Sequence, residues 1–205
     1  MDLIREAAEQ VRQLALLAAE EAEDQLDRWS WARRAMLLPS LLHGQLDRAE
    51  ENRKLGCSYN YRGYGVGCVF TAELHDRDQL ALTGDLDQTA YRFADGWNSM
   101  NRDRSHRICA EKVAHDTVEV WQAAYLSMIL WRAKNQRHRP QDPQDRTVLP
   151  CEATCMSMLL DSPLMDDYTI CVRTNEDASV FQVDFWAKLR ERVYKLSSGE
   201  LVHTA

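Results

Sequence analysis

The length and composition of this chain of 205 residues and 23.7 kDa indicate a folded protein with one principal domain. Hydrophobic residues make up 45% and charged residues 28%, which excludes a disordered or collagen-like chain. The net charge of −7 gives no general attraction for nucleic acids, and no apolar run reaches the roughly 18 residues that cross a bilayer. The start of the sequence has no basic segment of a secretory signal, so we expect a cytoplasmic protein without a membrane partner.

Residues 1–53 are predicted to form an N-terminal helical extension, distinct from a domain at 54–205. Apolar residues recur there at spacings of three and four, the pattern of an amphipathic helix: Leu3, Ala7, Val11, Leu14, Ala18, Ala22 and Leu26. A second helix is predicted to end near Pro39, and a third to run from about 41 to 52. No residue pattern in this block suggests chemistry, so we interpret it as a packing or oligomerisation element.

From residue 54 onward, strand and helix patterns alternate. The predicted order is strand, strand, helix, strand, helix, strand, helix, at 66–73, 80–86, 108–124, 125–131, about 156–160, 168–172 and 184–195. Such alternation predicts an α/β fold, a three-layer α/β/α sheet domain.

Two short segments place cysteines at predicted helix starts: Cys109 with Glu111 in one, and Cys151 with Cys155 in the next. Unpaired N–H groups and the helix dipole favour the thiolate at such positions, which is the form that binds metal. Three thiolates leave one position of a tetrahedral zinc ion open, the pattern of catalytic zinc sites. Glu111 would then face that position as a proton acceptor.

Cys109-Ala110-Glu111, followed some forty residues later by Pro150-Cys151 and Cys155, resembles the zinc-dependent cytidine deaminase-like superfamily. The match is to the free-nucleoside cytidine and blasticidin-type deaminases, because the first ligand is cysteine. The upstream segment from Tyr61 to Val69 resembles the approach to the first strand in these enzymes, and the predicted element order is similar to their cytidine deaminase-like fold.

The resemblance implies a zinc-dependent hydrolase that deaminates a cytosine-type base in a nucleoside, nucleotide or related small molecule. It implies Zn²⁺ held by Cys109, Cys151 and Cys155, with Glu111 moving the proton. It further implies that Tyr64 stacks on the base and that the backbone at Ala110 contacts the base edge. Relatives of this fold often share active sites between subunits, so we expect a homo-oligomer.

Two features depart from the family pattern. The downstream pair is Cys-x-x-x-Cys, with Thr154 in the usual cysteine position, so either the zinc site survives in a shifted first turn or it is degenerate. The Asn-x-Glu element that holds the ribose has no direct counterpart, and Gln88 stands where the Glu is expected. Gln88 is the candidate for ribose binding, with Asp85 or Asp87 as possible substitutes, and the pattern does not predict ordinary cytidine recognition.

Two basic stretches are predicted to border the pocket. An apparent insertion at 93–106 contains Trp97, Arg102 and Arg104, and a second loop covers 132–139. We hypothesise that Arg102 and Arg104 receive an anionic group such as a phosphate; the alternative is a solvated, charged loop. Cys57, Cys68 and Cys171 are interpreted as core residues, and His115 as a core or helix-surface histidine.

Two other functions remain open from the sequence. The protein could deaminate bases in single-stranded nucleic acid, although its acidity and the lack of a long basic groove oppose this. It could instead be a degenerate, non-catalytic member in which the helical block assembles a complex. The longer cysteine spacing and the missing ribose-binding Asn motivate that alternative.

Overall fold

The fold is taken from a computed structural model. The structure describes residues 3–54, 66–74, 91–97, 99–100, 107–123, 125–133, 155, 157–175, 178, 181–189, 192–197 and 200–203. The strand predicted at 80–86 lies outside these residues.

Two helices, α1 (Leu3–Glu21) and α2 (Gln25–Lys54), form the N-terminal part of the molecule. The prediction that a helix ends near Pro39 was wrong, because α2 continues through this residue. Proline lacks the N–H that would bond to the preceding turn and normally disrupts a helix interior. Here Leu38 and Leu42 on either side are fully buried, so packing on the sheet holds both halves of α2 in one helix.

The elements after α2 are β1 (Val66–Glu73), β2 (Tyr91–Trp97), β3 (Ser99–Met100), β4 (Arg107–Ile108), α3 (Ala110–Val120), β5 (Tyr125–Ala133), α4 (Ser157–Asp161), β6 (Met165–Asn175), β7 (Phe181–Leu189), β8 (Arg192–Ser197) and β9 (Glu200–His203). Among the described residues, seven strands form the central sheet, in the order β2-β1-β5-β6-β7-β8-β9. Neighbouring strands are antiparallel except β5 and β6, which are parallel. A separate ribbon pairs β3 with β4.

The helix predicted at 184–195 was wrong, because this segment forms most of β7 and the start of β8. The alternation of Phe181, Val183 and Phe185 with polar residues is the period of a strand. Val183 is buried on one face of the sheet, and Asp184 on the other face pairs with Arg173 of the neighbouring β6.

Helices cover both faces of the sheet, which confirms the three-layer α/β arrangement. On the face that we call the α1–α2 face, both helices share a core with residues from four strands: Val69, Met128, Leu130, Ile170, Val172 and Val183. On the opposite face, the α3–α4 face, the core contains the side chains Cys68, Phe70, Ala94, Ala114, Val118, Ile129, Trp131, Leu159 and Cys171. The N-terminal helices are thus one outer layer of the sheet, while the domain boundary at 53/54 stays a prediction.

Buried polar contacts fix α2 on the sheet. Arg34 donates to Glu73 at the end of β1, with Nη2 to Oε2 at 2.7 Å, and both side chains are 1% exposed. The Gln45 amide donates to the backbone carbonyls of Val69 and Met128 at 3.0 and 3.2 Å. Among the described residues, no helix combines the length and the apolar character that a membrane span needs.

Candidate metal centre

The N-terminus of α3 and the carboxyl end of β5 lie at the same edge of the α3–α4 face. Helix α3 of eleven residues is followed, after a short turn, by β5, which runs back along it. A helix of this length extends about 16 Å and a strand of six residues about 20 Å, so the chain returns to the helix start near residue 131. Side chains from the first turn of α3 and from the end of β5 therefore meet.

Cys109 is the N-cap residue of α3, with an extended backbone at φ −75° and ψ 147°. Its side chain makes no capping hydrogen bond, and the dipole of a helix favours negative charge near this end. Glu111 in the first turn is 5% exposed, and Ala110 between them is buried.

Two thiols and a carboxylate, from three of the predicted site residues, lie close together here. The Sγ atoms of Cys109 and Cys155 and a carboxylate oxygen of Glu111 all lie within 4.8 Å of one another. Cys155 is 3% exposed and comes from the segment before α4, far from α3 in sequence. Zn–S distances are about 2.3 Å and Zn–O distances about 2.0–2.2 Å, so donor atoms at this spacing fit around one ion. Thiolates with a carboxylate are donors that suit zinc.

Trp131 at the end of β5 holds Glu111, a contact that the sequence analysis missed. The indole Nε1 donates to Glu111 Oε1 at 3.1 Å, and Trp131 is fully buried. The strand was predicted to end at residue 131, but nothing in its apolar pattern distinguishes a tryptophan that only packs from one that also donates a hydrogen bond.

Cys68 and Cys171 lie in the core beneath the converging groups, as predicted, and both are fully buried. Burial raises the pKa of the Cys68 thiol well above its usual value, and negative charge on Glu111 and Cys155 raises this pKa further. Cys68 is therefore a neutral thiol, in contrast to a cysteine at a helix start.

A second group of metal-ligating side chains on α3 is His115, Asp116 and Glu119. The imidazole of His115 is buried, with Nε2 2.7 Å from Ser162 Oγ and Nδ1 3.5 Å from Glu119 Oε1. Asp116 pairs with Lys112 at 2.9 Å on the exposed side. His115 thus ties α3 to the end of α4, consistent with its predicted core role, and helps fix the two segments that contribute Cys109 and Cys155.

Five predicted site residues lie outside the described residues: Tyr64, Gln88, Arg102, Arg104 and Cys151. Their roles stay predictions, as does that of the Ala110 backbone in base recognition.

Two predicted loops are partly strands. The segment at 93–106 was interpreted as an inserted loop, but its first residues lie on β2, where Trp97 pairs with Gly67 of β1. Arg132, predicted in a basic loop, lies on β5 and pairs with Glu50 of α2 at 3.0 Å. In both segments, pairing with β1 extends the sheet beyond the apolar run that marks a strand in the sequence.

No family model and no curated protein matches this chain. Among solved structures, the cytidine deaminase from Burkholderia pseudomallei superimposes with a TM-score of 0.47 and 17% sequence identity, over 69% of this chain and 89% of that chain. A superposition of this quality does not define a function, so a function for this protein has to be argued from its own residues.

Proposed function

We propose that this protein is a zinc-dependent hydrolase that deaminates a cytosine-type base in a nucleoside, nucleotide or related small molecule. The observation that carries the proposal is the convergence of Cys109, Glu111 and Cys155 within 4.8 Å at the start of a helix. Two thiols are two of the three protein ligands that a catalytic zinc site uses, and the buried carboxylate beside them is the candidate proton carrier.

Cys109, Cys155 and the predicted third ligand Cys151 would hold the ion. The N-terminus of α3 favours the charged form of Cys109. Bound zinc supplies hydroxide at neutral pH by lowering the pKa of its water to about 7.

Glu111 would take one proton from the attacking water and deliver it to the ring nitrogen, and would then carry the water's second proton, from the hydroxyl formed on the ring carbon, to the leaving amino group. The water oxygen becomes the carbonyl oxygen of the uracil-type product, and the amino group leaves as ammonia. The low exposure of Glu111 keeps bulk water from competing for this proton.

The substrate-binding residues are proposed from the sequence alone. Tyr64 is proposed to stack on the base, Gln88 to bind the ribose, and Arg102 and Arg104 to receive an anionic group. The resemblance to free-nucleoside deaminases also supports a homo-oligomer.

One observation favours a second candidate function, a structural metal site in a non-catalytic protein. A carboxylate oxygen of Glu111 lies within 4.8 Å of both sulfurs, which is near enough for Glu111 to be a further ligand of an ion held by them. Structural zinc sites close with four protein ligands, whereas catalytic ones keep one position open. In that case Glu111 would bind the ion and would have no proton to carry.

Metal content and ammonia release separate these candidates. We expect the purified protein to contain stoichiometric zinc and to release ammonia from at least one of cytidine, deoxycytidine, their phosphates and blasticidin-like analogues. Glu111→Ala should keep its zinc and lose activity by about 10²–10⁴-fold. Zinc without ammonia release, together with weaker zinc binding in Glu111→Ala, would support the structural site. Conversion of cytosine to uracil in an oligonucleotide alone would support the nucleic-acid alternative.

A pair of cysteine variants tests whether Cys155 is a zinc ligand. Cys155→Ala should weaken zinc binding by at least about a hundredfold, because a total of roughly 10 kcal/mol shared by three ligands is about 3 kcal/mol each. Cys171→Ala is the matched control, since Cys171 is equally buried on the same face but outside the converging group. Equal zinc affinity in both variants would contradict the assignment.

A further inference from the structure

The two cysteines of the candidate metal centre lie side by side but differ in exposure. Their Sγ atoms are within 4.8 Å of each other, although one residue precedes α3 and the other precedes α4. Cys109 is partly exposed, and Cys155 is buried. An accessible thiol next to a second thiol is the arrangement typical of cysteines that are oxidised reversibly. We propose that Cys109 is a site of oxidation by a hydroperoxide in the metal-free protein, and that Cys155 then forms a disulfide with it.

The gap between the two sulfurs is small enough for a side-chain rearrangement to close. A disulfide places its sulfurs about 2.05 Å apart, so these two have to approach by less than about 3 Å. A change from one staggered rotamer to another moves a cysteine sulfur by about 3 Å. Cys109 is the residue that is expected to move, because it precedes the helix as its N-cap and its side chain makes no capping hydrogen bond.

The other cysteines in the part of the chain that the structure describes have different surroundings. Cys68 and Cys171 are fully buried in the core of the α3–α4 face. Neither belongs to the group of converging donor atoms. We therefore expect both of these thiols to stay reduced while Cys109 and Cys155 react.

The oxidation proceeds in two steps, with hydrogen peroxide as the oxidant. The sulfur of Cys109 attacks one peroxide oxygen, the O–O bond breaks, and the second oxygen leaves as water with the thiol proton, so that Cys109 becomes a sulfenic acid. The sulfur of Cys155 then attacks the sulfenic sulfur: an S–S bond forms, the S–O bond breaks, and the hydroxyl leaves as water with the proton of Cys155. The two thiols together lose two electrons and two protons, which reduce one peroxide to two waters.

Metal binding and the disulfide exclude each other, because both use the same two sulfurs. With zinc at about 100 times its Kd, only about 1% of the protein is metal-free, and oxidation should slow about a hundredfold. The oxidised protein in turn should not hold zinc at this site until a thiol reductant restores both cysteines. Deamination is not required, since a catalytic and a structural zinc site would both be controlled in this way.

Peroxide treatment of the full-length protein, with and without zinc, tests this oxidation site. After removal of metal by a chelator, the protein should lose two of its six thiols and about 2 Da of mass, and peptide mapping should identify a cross-link between Cys109 and Cys155. Dithiothreitol should restore both thiols and zinc binding. In concentrated urea the preference for this pair should disappear, because the fold no longer holds the two sulfurs together.

Three variants separate the roles of the cysteines. In Cys109→Ser, Cys155 should stay reduced, because it is too buried to react with peroxide directly. In Cys155→Ala, the sulfenic acid of Cys109 should persist and react with dimedone, whereas the control Cys171→Ala should form the same disulfide as the unmodified protein. A cross-link to Cys57 or Cys151 in place of Cys155, or equal oxidation of Cys155 in Cys109→Ser, would overturn the proposal. A protein that forms the disulfide but binds no zinc would contradict the proposed function and not this oxidation site.

Discussion

On the α1–α2 face of the sheet, the buried carboxylate of Glu73 lies against the guanidinium of Arg34, whereas on the α3–α4 face the buried carboxylate of Glu111 lies against two thiols. In the first pair, opposite charges compensate each other inside the fold. In the second group, every member is either neutral or negative, and the indole of Trp131 adds only a neutral donor.

This difference separates an ion pair that is complete without a ligand, Arg34 with Glu73, from a group of side chains that is suited to bind a cation, Glu111 with Cys109 and Cys155. Burial and the negative charges of Glu111 and Cys155 raise the pKa of Cys68, so a further negative charge is disfavoured there. A cation bound between Cys109, Glu111 and Cys155 would compensate these charges, as Arg34 compensates Glu73 and, elsewhere on the α3–α4 face, Arg173 compensates Asp184.

The largest effect that would test this contrast is expected at Arg34. Arg34→Met removes one partner of a buried pair and leaves the charge of Glu73 uncompensated, which costs about 3–5 kcal/mol of unfolding free energy. Zinc stoichiometry should not change, because the pair lies on the opposite face from Cys109 and Cys155. Urea unfolding and metal analysis of the same sample check both statements.

The double variant Arg34→Met with Glu73→Leu is the control for this prediction. Apolar replacement of both partners is often neutral or stabilising, so most of the lost free energy should return. A single variant that loses its zinc at full stability would contradict the separation of the two faces.

The sequence predicted those parts of the fold and site that depend on local patterns. The mostly apolar segment after the glycine-rich stretch predicted the bounds of β1 at Val66–Glu73, as the structure has them. Cys109 and Glu111 were selected because both lie at a predicted helix start, and the structure places them in the first turn of α3 and near Cys155, while their roles stay predictions.

Other features depend on distant contacts, which no local pattern specifies. Helix α2 continues through Pro39 because residues on both sides pack on the sheet. The last predicted helix is β7 and β8 because each strand has a neighbour to pair with. The bond from Trp131 to Glu111 joins residues twenty positions apart, and only the return of β5 along α3 brings them together.

A smaller effect is expected at Gly96 and Gly44, two glycines at which a helix and a sheet residue approach each other closely. A Cβ added at Gly96 of β2 would lie 2.1 Å from the carbonyl oxygen of Ala110 and 2.9 Å from the backbone nitrogen of Ala114. Gly96→Ala must therefore displace the start of α3, at a cost of about 1–3 kcal/mol. Because Cys109 and Glu111 flank Ala110, zinc affinity should fall as well, which isothermal titration of the metal-free protein measures.

Gly44→Ala is the matched substitution on the α1–α2 face. Its Cβ would lie 2.6 Å from a ring carbon of Phe93, but a side chain can rotate where a helix backbone cannot. Alanine also stabilises a helix interior by about 1 kcal/mol relative to glycine, so we expect a small change in stability. Zinc affinity should stay at its original value. Equal losses of zinc affinity in both alanine variants would show that the metal site is not coupled specifically to the α3–β2 contact.

The smallest effect concerns alkaline pH and Tyr91, the first residue of β2, which pairs in register with Glu73. Burial and the negative charge of Glu73 raise the pKa of Tyr91 to about 12, although Arg34 and Arg33 partly oppose the shift. An unfolded tyrosine titrates near pH 10, so between pH 10 and 12 the unfolded chain releases a proton that the folded protein retains. The free energy of unfolding should therefore fall as the pH rises through this window.

Tyr91→Phe removes this contribution without removing the ring. Two pKa units correspond to somewhat less than 3 kcal/mol, and we expect about 2 kcal/mol because the ring is only half-buried. Urea unfolding at pH 9 and pH 11.5 should show a stability loss in the unmodified protein that is smaller by this amount in Tyr91→Phe. Zinc-free protein is the sample for this comparison, since metal binding by thiols itself depends on pH. Identical pH dependence in the two proteins would contradict the raised pKa of Tyr91.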